Sequence, residues 1–176
     1  TSLRSLERSD FFTRDIDQWV LKKSGRIGIH SAKDLPFPLT QGLVRFCLTK
    51  GIDPSDSLVL RPNETLEGLA KGAKIATSSV RREETVKELR TDLTFFDLRG
   101  TIDERLAKLK TGEADGVVVA EAALIRLGLT YLNRIRLPGI TTEGQGQLAV
   151  VGREDDPKIK AYFTCLDVNV NSACHK

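Results

Sequence analysis

Short apolar runs alternate with helical periods along the middle of the chain, and this alternation constrains the fold more than any other feature. It is typical of α/β domains, in which helices cover both faces of a parallel sheet. The pattern predicts strands at 74–76, 93–97 and 116–120, and helices at 66–71, 80–90, 102–110 and 121–127. Because ligands of such domains bind at the carboxyl ends of strands, polar residues that follow a strand are the first candidates for a site.

The first part of the chain extends this pattern. A helix is predicted at 11–23, and strands are predicted at 27–30, 44–49 and 58–60. The sequence Asp53-Pro54-Ser55-Asp56, between the last two strands, is typical of a turn. We expect the chain to cross from one domain to another at this turn.

The composition is that of a folded globular protein, since 40% of the 176 residues are hydrophobic and 29% are charged. The net charge of +3 is too small for non-specific binding to nucleic acid. No apolar run approaches the roughly 20 residues that span a bilayer, and no apolar leader opens the chain. We therefore expect a cytoplasmic protein without nucleic-acid or membrane partners.

The cysteines and histidines predict neither a disulfide framework nor a metal site. Cys47, Cys165 and Cys174 show no paired spacing and no Cys-x-x-Cys motif. His30 and His175 are far apart in the sequence, and a lone histidine is more often a structural residue than a ligand.

Positive charge is concentrated in one segment. Residues 71–110 contain ten Lys or Arg residues and seven Asp or Glu residues, an excess equal to the net charge of the whole chain, +3. This predicts a local anion site.

Within that segment, Thr77-Ser78-Ser79-Val80-Arg81-Arg82 leads from a predicted strand into a predicted helix. Hydroxyl groups, backbone N–H groups and the helix dipole favour an anion at such a junction. Arginines in the first helical turn oppose the dipole unless an anion neutralises them. The alternative is that Arg81 and Arg82 are solvated surface residues.

Arg99 and Arg105 extend this cationic set. Arg99 follows the predicted strand 93–97, and Arg105 lies one to two turns into the next helix. Guanidinium groups bind carboxylates or phosphates through paired hydrogen bonds. The alternative is a surface ion pair, of Arg99 with Asp97 or of Arg105 with Asp103.

Asp34 is the candidate for chemistry. The strand 27–30 ends in the polar sequence Ser31-Ala32-Lys33-Asp34, and a carboxylate at the end of a strand is better placed for chemistry than for packing. Such a group serves as acid, base or stabiliser of a cation. Further along, Gly144-Gln145-Gly146-Gln147 either permits close approach to a ligand or strand, or is an ordinary turn.

Five motifs occur in an order and at a spacing that closely resembles the porphobilinogen deaminase (hydroxymethylbilane synthase) family. They are His30-Ser31-Ala32-Lys33-Asp34-Leu35-Pro36, Thr77-Ser78-Ser79-Val80-Arg81-Arg82, Leu98-Arg99-Gly100 with Arg105, Leu124-Ile125-Arg126-Leu127-Gly128 and Gly144-Gln145-Gly146. The resemblance covers residues 11–155. It implies an α/β fold of two domains similar to periplasmic binding proteins, hinged around a central cleft. Domain 1 would comprise residues 1–50 and 147–165, domain 2 residues 55–142, and residues 166–176 would form a tail.

Members of this family condense four porphobilinogen molecules head to tail, with release of ammonia, on a dipyrromethane cofactor held by a cysteine. The resemblance implies that Asp34 is the catalytic residue, which protonates the leaving amine and stabilises the resulting cation. It also implies a set of residues that bind the acetate and propionate groups of cofactor and substrate: Ser31, Lys33, Thr77, Ser78, Ser79, Arg81, Arg82, Arg99 and Arg105. Gln145 matches a glutamine near the hinge, and Phe12 matches an aromatic residue that covers the active site.

The sequence departs from the family at both ends. It shows no counterpart of the family's opening strand, third domain or Gly-Gly-Cys cofactor loop, so we expect a family member shortened at both ends and without the third domain. Inside the matched stretch, Thr101 replaces the usual Asn, Glu143 replaces a small apolar residue, and Ser9 falls where a lysine is expected. Cys174, followed by His175, is the candidate substitute for the cofactor cysteine.

Two functions follow. The first is a hydroxymethylbilane synthase of tetrapyrrole (haem) biosynthesis, a monomer acting on porphobilinogen. The second is a non-catalytic or degenerate member that binds polycarboxylates or pyrroles. Asp34 favours the enzyme, because a carboxylate repels anionic ligands and has no use in a module that only binds them. The missing segments favour the module.

Overall fold

The computed structural model describes residues 12–169. They form two compact units. The central unit is Asp53–Thr141, and the terminal unit combines the stretch up to Ile52 with the stretch from Thr142 onward. Each unit has its own sheet.

The described elements follow one another in chain order. They are α1 (Arg14–Leu21), β1 (Ile27–Ser31), β2 (Leu43–Leu48), β3 (Asp56–Leu60), β4 (Lys74–Ala76), α2 (Val80–Leu89), β5 (Thr94–Phe96), α3 (Ile102–Thr111), β6 (Gly116–Ala120), α4 (Glu121–Arg126), β7 (Arg134–Arg136) and β8 (Leu148–Arg153). Two 3₁₀ helices, Ala32–Asp34 and Pro157–Leu166, follow β1 and β8. Within residues 12–169, no helix has both the length and the apolar character needed to cross a membrane.

The central unit contains a five-stranded sheet with the order β5-β4-β6-β3-β7. β4 is parallel to β5 and β6, whereas β3 is antiparallel to both β6 and β7. The predicted parallel sheet is confirmed for β4, β5 and β6, whereas the antiparallel direction of β3 and the strand β7 were not predicted. All five residues of β3 are buried. The apolar run at 58–60 indicates burial on both faces of the sheet, but it does not indicate the direction of the strand.

Helices cover both faces of this sheet. One core cluster includes Ile75 of β4 and Val86 of α2, and the other includes Val117 of β6, Leu109 of α3 and Leu124 of α4. The predicted helix at 66–71 is wrong, because those residues form turns. The apolar spacing that indicated it comes from Leu66 and Leu69, which pack into the first cluster.

The terminal unit contains a three-stranded sheet in which β8 lies between β1 and β2 and is antiparallel to both. The sequence predicted neither β8 nor the three-residue β7. Residues near the end of the described chain pair with β2 and the residue after it: Thr49 forms a β-bridge with Asp167, and the Val168 N–H donates to the Leu48 carbonyl at 2.9 Å. This pairing depends on a strand edge over a hundred residues away, which no local pattern reveals.

Candidate functional site

The Asp34 turn, Ser31–Asp34, leaves β1 and closes as one turn of 3₁₀ helix. The Leu35 N–H donates to the Ala32 carbonyl at 3.3 Å, and the side chains of Lys33 and Asp34 are partly exposed. The local sequence thus presents an ammonium and a carboxylate side by side at the end of a strand.

The Gly144–Gln147 turn packs directly against the Asp34 turn. The Ala32 N–H donates to the Gln147 carbonyl at 3.0 Å, and Lys33 Nζ donates to Oε1 of the buried Gln145 at 3.1 Å. Gly144 has φ +77°, and a Cβ there would lie 3.1 Å from the Lys33 nitrogen. Of the two alternatives for the Gly-Gln-Gly-Gln sequence, the structure shows close packing against another backbone. It brings Lys33 and Gln145 together, and Asp34 is the next residue in the chain after Lys33.

A buried polar cluster supports the strand that carries this turn. Nε2 of the buried His30 lies 3.3 Å from Oδ1 of Asp17 on α1. Asp17 Oδ2 accepts hydrogen bonds from the hydroxyl groups of Thr13 at 2.8 Å and Thr40 at 3.0 Å. His30 is therefore a structural residue, and Asp17 connects α1 to both sides of the Asp34 turn.

A cavity of about 630 Å³ lies beside the same turn. Its lining is mainly apolar, with Arg45 and Glu143 as the charged residues, and its other members include Ala32 and Gly144. We assign no substrate carboxylate to this cavity, because its lining differs from the polar set expected to bind one.

In the central unit, Ser78 and Ser79 have different structural roles at the junction of β4 and α2. Ser79 is the N-cap of α2, and its hydroxyl accepts a hydrogen bond from the Arg82 N–H at 3.4 Å. Ser78 Oγ instead accepts from the Leu98 N–H at 3.0 Å and donates to the Leu98 carbonyl. Ser78 thus joins this junction to the segment that carries Arg99.

Arg81 and Arg82 are both paired with one buried carboxylate. Arg81 Nη2 lies 2.5 Å from Asp56 Oδ2, and Arg82 contacts Asp56 Oδ1 through Nε at 2.9 Å and Nη2 at 2.6 Å. Asp56 is only 2% exposed. The alternative of two solvated arginines is wrong, and the anion that the helix start requires is supplied here by the protein itself.

Asp56 is the important residue that the sequence analysis missed, since it was assigned to a turn. Two cations in the first turn of a helix require an anion nearby.

The start of α3 positions the second pair of arginines differently. Thr101 and Glu104 form a capping box, in which the Thr101 N–H donates to Glu104 Oε2 at 2.7 Å. This bond holds the pKa of Glu104 below its ordinary value of 4.5. Arg105 Nε donates back to the Gly100 carbonyl at 2.8 Å. Arg99 is exposed, and among the described residues it makes no hydrogen bond or ion pair.

The remaining candidates are less well defined. Thr77 is buried and its hydroxyl accepts from the Ser79 N–H at 3.3 Å, whereas Phe12 is 54% exposed. Cys174 lies outside the described residues. Burial raises the pKa of the Cys47 thiol above its ordinary value of 9.0, which makes this cysteine a poor nucleophile. Among residues 12–169, no three His, Cys, Asp or Glu side chains are grouped as metal ligands.

Comparison with known sequences identifies the family. The family model described as porphobilinogen deaminase, dipyromethane cofactor binding domain, matches residues 1–161. A porphobilinogen deaminase from Rubrobacter xylanophilus is 37% identical over 170 residues, which cover 94% of this chain and 55% of the relative. The chain belongs to the porphobilinogen deaminase family. Porphobilinogen deaminases from Roseiflexus sp. (41% over 150 residues, 82% of this chain and 50% of the relative) and Xanthomonas campestris (35% over 176 residues, 98% and 58%) are similar as well.

The porphobilinogen deaminases that match are longer proteins, and the chain spans about half the length of these curated relatives. Solved structures agree on the fold. A periplasmic substrate-binding protein of an ABC transporter from Coxiella burnetii has a TM-score of 0.58 at 17% identity, covering 94% of this chain and 80% of its own. A prephenate dehydratase from Arthrobacter aurescens has a TM-score of 0.55 at 14% identity, covering 80% and 50%. The expected α/β fold of the periplasmic-binding-protein type is thereby confirmed.

Proposed function

We propose that the chain provides the substrate-binding and reacting residues of a hydroxymethylbilane synthase, which condenses porphobilinogen head to tail with release of ammonia. One observation carries the proposal: the Gly144–Gln147 turn holds Lys33 through Gln145, at 3.1 Å, directly beside Asp34. The Lys33–Gln145 hydrogen bond joins residues 112 positions apart in the sequence and holds the Asp34 turn in a defined conformation. A surface loop without a function needs no such support, whereas a reacting group must be held in place. Membership of the family supports the same reaction.

Asp34 has two tasks in this reaction. Its carboxyl proton passes to the amine of the substrate's aminomethyl group, the C–N bond breaks, and ammonia leaves. The carboxylate then stabilises the cation that remains on the substrate, since an ionised group is most effective where opposite charge develops. When the next C–C bond forms, the proton released from the acceptor ring carbon returns to Asp34, which restores the starting state.

The arginines and hydroxyl groups bind carboxylates in this proposal. Arg99 is exposed, and the side chain of Arg81 is one-third exposed, at 33%. Together with Ser79 and Arg105, which also belong to the central unit, they fit the acetate and propionate groups of pyrroles. Lys33 of the terminal unit is a further donor proposed for such groups. The same donors fit a dipyrromethane cofactor, which when bound supplies the pyrrole carbon to which the first substrate unit is joined.

The anchor of that cofactor is proposed separately. Cys174 is the candidate, with His175 favouring the thiolate. Mass spectrometry of the protein produced with porphobilinogen is expected to show an increment of two pyrrole units, which Cys174→Ser abolishes. Cys165→Ser is the matched control, because Cys165 is exposed but has no proposed role. An increment that survives in the Cys174 variant excludes this anchor.

The reaction is tested by porphobilinogen consumption and by the uroporphyrin chromophore that forms after acid oxidation. Asp34→Asn is expected to abolish turnover while it preserves substrate binding, because the carboxyl group acts on the reacting atoms. Asp155→Asn is the control, since Asp155 is an exposed carboxylate, with 61% of its side chain accessible. Equal turnover by the Asp34 variant contradicts the assignment.

A second function is a binding member of the family that does not turn over substrate. Binding of porphobilinogen without consumption by the wild-type chain supports this second function. In both cases we propose a cytoplasmic monomer whose partner is a small molecule and not a nucleic acid or a membrane.

A further inference from the structure

Asp56 occupies the position at which the two arginines of α2 converge. It is the first residue of β3, with 3% of its side chain exposed. Each of its oxygens is used by a different arginine, Oδ1 by Arg82 and Oδ2 by Arg81. The carboxylate therefore orients both guanidinium groups at once.

The two arginines differ in their access to solvent. The Arg82 side chain is 11% exposed and contacts the same Asp56 oxygen through two nitrogens. The Arg81 side chain is 33% exposed, and its Nη1 donates to the Ile140 carbonyl at 3.1 Å. Arg82 is thus held in place, whereas Arg81 is the member that a ligand reaches.

The charges of this cluster do not cancel. The formal charges of the three side chains Asp56, Arg81 and Arg82 sum to one positive charge, and the N-terminal end of α2 adds to the positive potential. One carboxylate group neutralises the cluster. A phosphate dianion leaves it with an excess of negative charge, in a setting where Asp56 already repels anions.

We propose that Asp56 is a specificity-determining residue, which sets this cluster to accept a single carboxylate and to reject phosphate. The inference rests on the proposed function, because porphobilinogen carries carboxylates and no phosphate. Asp56 itself acts through Arg81 and Arg82, as a positioning residue that touches no reacting atom.

Three proteins form a charge series for the test. Arg81→Gln has a net charge of zero in the cluster and keeps the Arg82–Asp56 pair, the wild type has one positive charge, and Asp56→Asn has two. Titration calorimetry measures the binding of inorganic phosphate and of porphobilinogen to each full chain. Asp56→Asn is expected to bind phosphate at least about tenfold more tightly than the wild type, and to gain less for porphobilinogen. Arg81→Gln is expected to weaken porphobilinogen binding by about tenfold.

Asp115→Asn is the matched control. Asp115 also pairs with an arginine of the central unit, Arg61, at 2.6 Å, so this variant loses an ion pair outside the cluster. Unchanged phosphate affinity in Asp56→Asn overturns the proposal, as does an equal gain in Asp115→Asn. A gain of phosphate binding is a readout that a merely structural role does not produce.

Circular dichroism establishes whether Asp56→Asn folds. If it does not, competition in the other two proteins decides: phosphate that displaces porphobilinogen from the wild type at similar concentration overturns the proposal, and weak displacement together with loss of binding in Arg81→Gln supports it. Turnover is a separate measurement. If the three proteins show the expected charge series but the wild type has no turnover, the proposed function alone is contradicted. If the wild type turns over substrate but Asp56→Asn has unchanged phosphate affinity, this inference alone is contradicted.

Discussion

Gly144 and Lys33 are in backbone contact: a Cβ atom at Gly144 would lie 3.1 Å from the Lys33 nitrogen and 3.1 Å from the Ala32 carbonyl carbon. The glycine also has a left-handed backbone, with φ +77°. Both facts disfavour a side chain at the point where the Gly144–Gln147 turn packs against the Asp34 turn. The close packing beside the proposed reacting group, Asp34, therefore depends on glycine at position 144, which has no Cβ atom.

Gly144→Ala is predicted to move the Asp34 turn. The loss of stability should be about 1–3 kcal/mol, from backbone strain and from the crowded Cβ, and turnover or porphobilinogen binding should fall. Gly72→Ala is the matched control, because Gly72 also has φ +77° but a Cβ atom added there would have no other atom within 4 Å. Urea unfolding and substrate titration of both variants measure the difference. Equal effects in the two variants would show that the contact itself is unimportant.

Ser78→Ala is predicted to loosen the segment that precedes Arg99. It removes the hydroxyl that bonds both the N–H and the carbonyl of Leu98, a residue with 1% exposure. The expected cost is about 1–2 kcal/mol, with faster amide hydrogen exchange at Leu98. Ser79→Ala is the comparison, since loss of the N-cap should cost about 1 kcal/mol and speed exchange at Arg82 instead. The same exchange pattern in both variants would contradict these separate roles.

Arg99 and Arg82 are predicted to differ in what they support. Arg99→Gln should leave the free energy of unfolding unchanged, because the exposed side chain has no partner among the described residues, but it should weaken porphobilinogen binding by about tenfold. Arg82→Gln should cost about 2 kcal/mol, because it removes hydrogen bonds to the buried Asp56. Thermal unfolding and calorimetry test both. Strong destabilisation by Arg99→Gln would show that its role is structural.

Glu121 gives a prediction about pH. It is fully buried, and its carboxylate accepts from Arg134 Nη2 at 2.8 Å and from Ser57 Oγ at 2.6 Å. The Arg134 hydrogen bonds hold the pKa of Glu121 below its ordinary value of 4.5. A carboxylate with a lowered pKa stabilises the fold above the pKa of the unfolded chain, and this stabilisation disappears as the pH falls through the folded pKa.

Glu121→Gln is therefore expected to cost about 3 kcal/mol at neutral pH, since it leaves Arg134 without its buried partner. The difference in the free energy of unfolding between Glu121→Gln and the wild type should shrink progressively as the pH falls below 4.5. Glu113→Gln is the control, because its carboxylate is 57% exposed and pairs with Lys108 in water. Urea unfolding across the acid range measures both. A difference that is independent of pH would contradict the ion pair as its cause.

Much of the α/β pattern could be predicted from the sequence. Helices over Val80–Leu89 and Ile102–Thr111 and strands over Lys74–Ala76 and Gly116–Ala120 agree with the predicted elements within one or two residues. These segments carry their information locally, in apolar periodicity and in the capping residues Ser79 and Thr101. The helix at 66–71 was wrong because two leucines three residues apart serve a buried turn as well as a helix.

The candidate site was found in part. Ser79 was predicted as a hydroxyl at the start of α2, and Asp34 as a carboxylate at the end of a strand. Asp56 was not recognised, because its importance comes from Arg81 and Arg82, more than twenty positions away. Likewise, nothing near Lys33 in the sequence announces its bond to Gln145.

The sequence by itself determined the strands β4, β5 and β6 and the helices α2 and α3 of the central unit, and which polar groups follow a strand, because these depend on neighbours a few positions apart. Only the tertiary structure decided strand order and direction, and with them the partners of each charge. β3 became antiparallel to β6, and its first residue, Asp56, came to lie against α2. Hydrogen bonds and ion pairs act over about 3 Å in space whatever the separation along the chain, so the composition of the arginine cluster and the support of the Asp34 turn emerge only when the chain is folded.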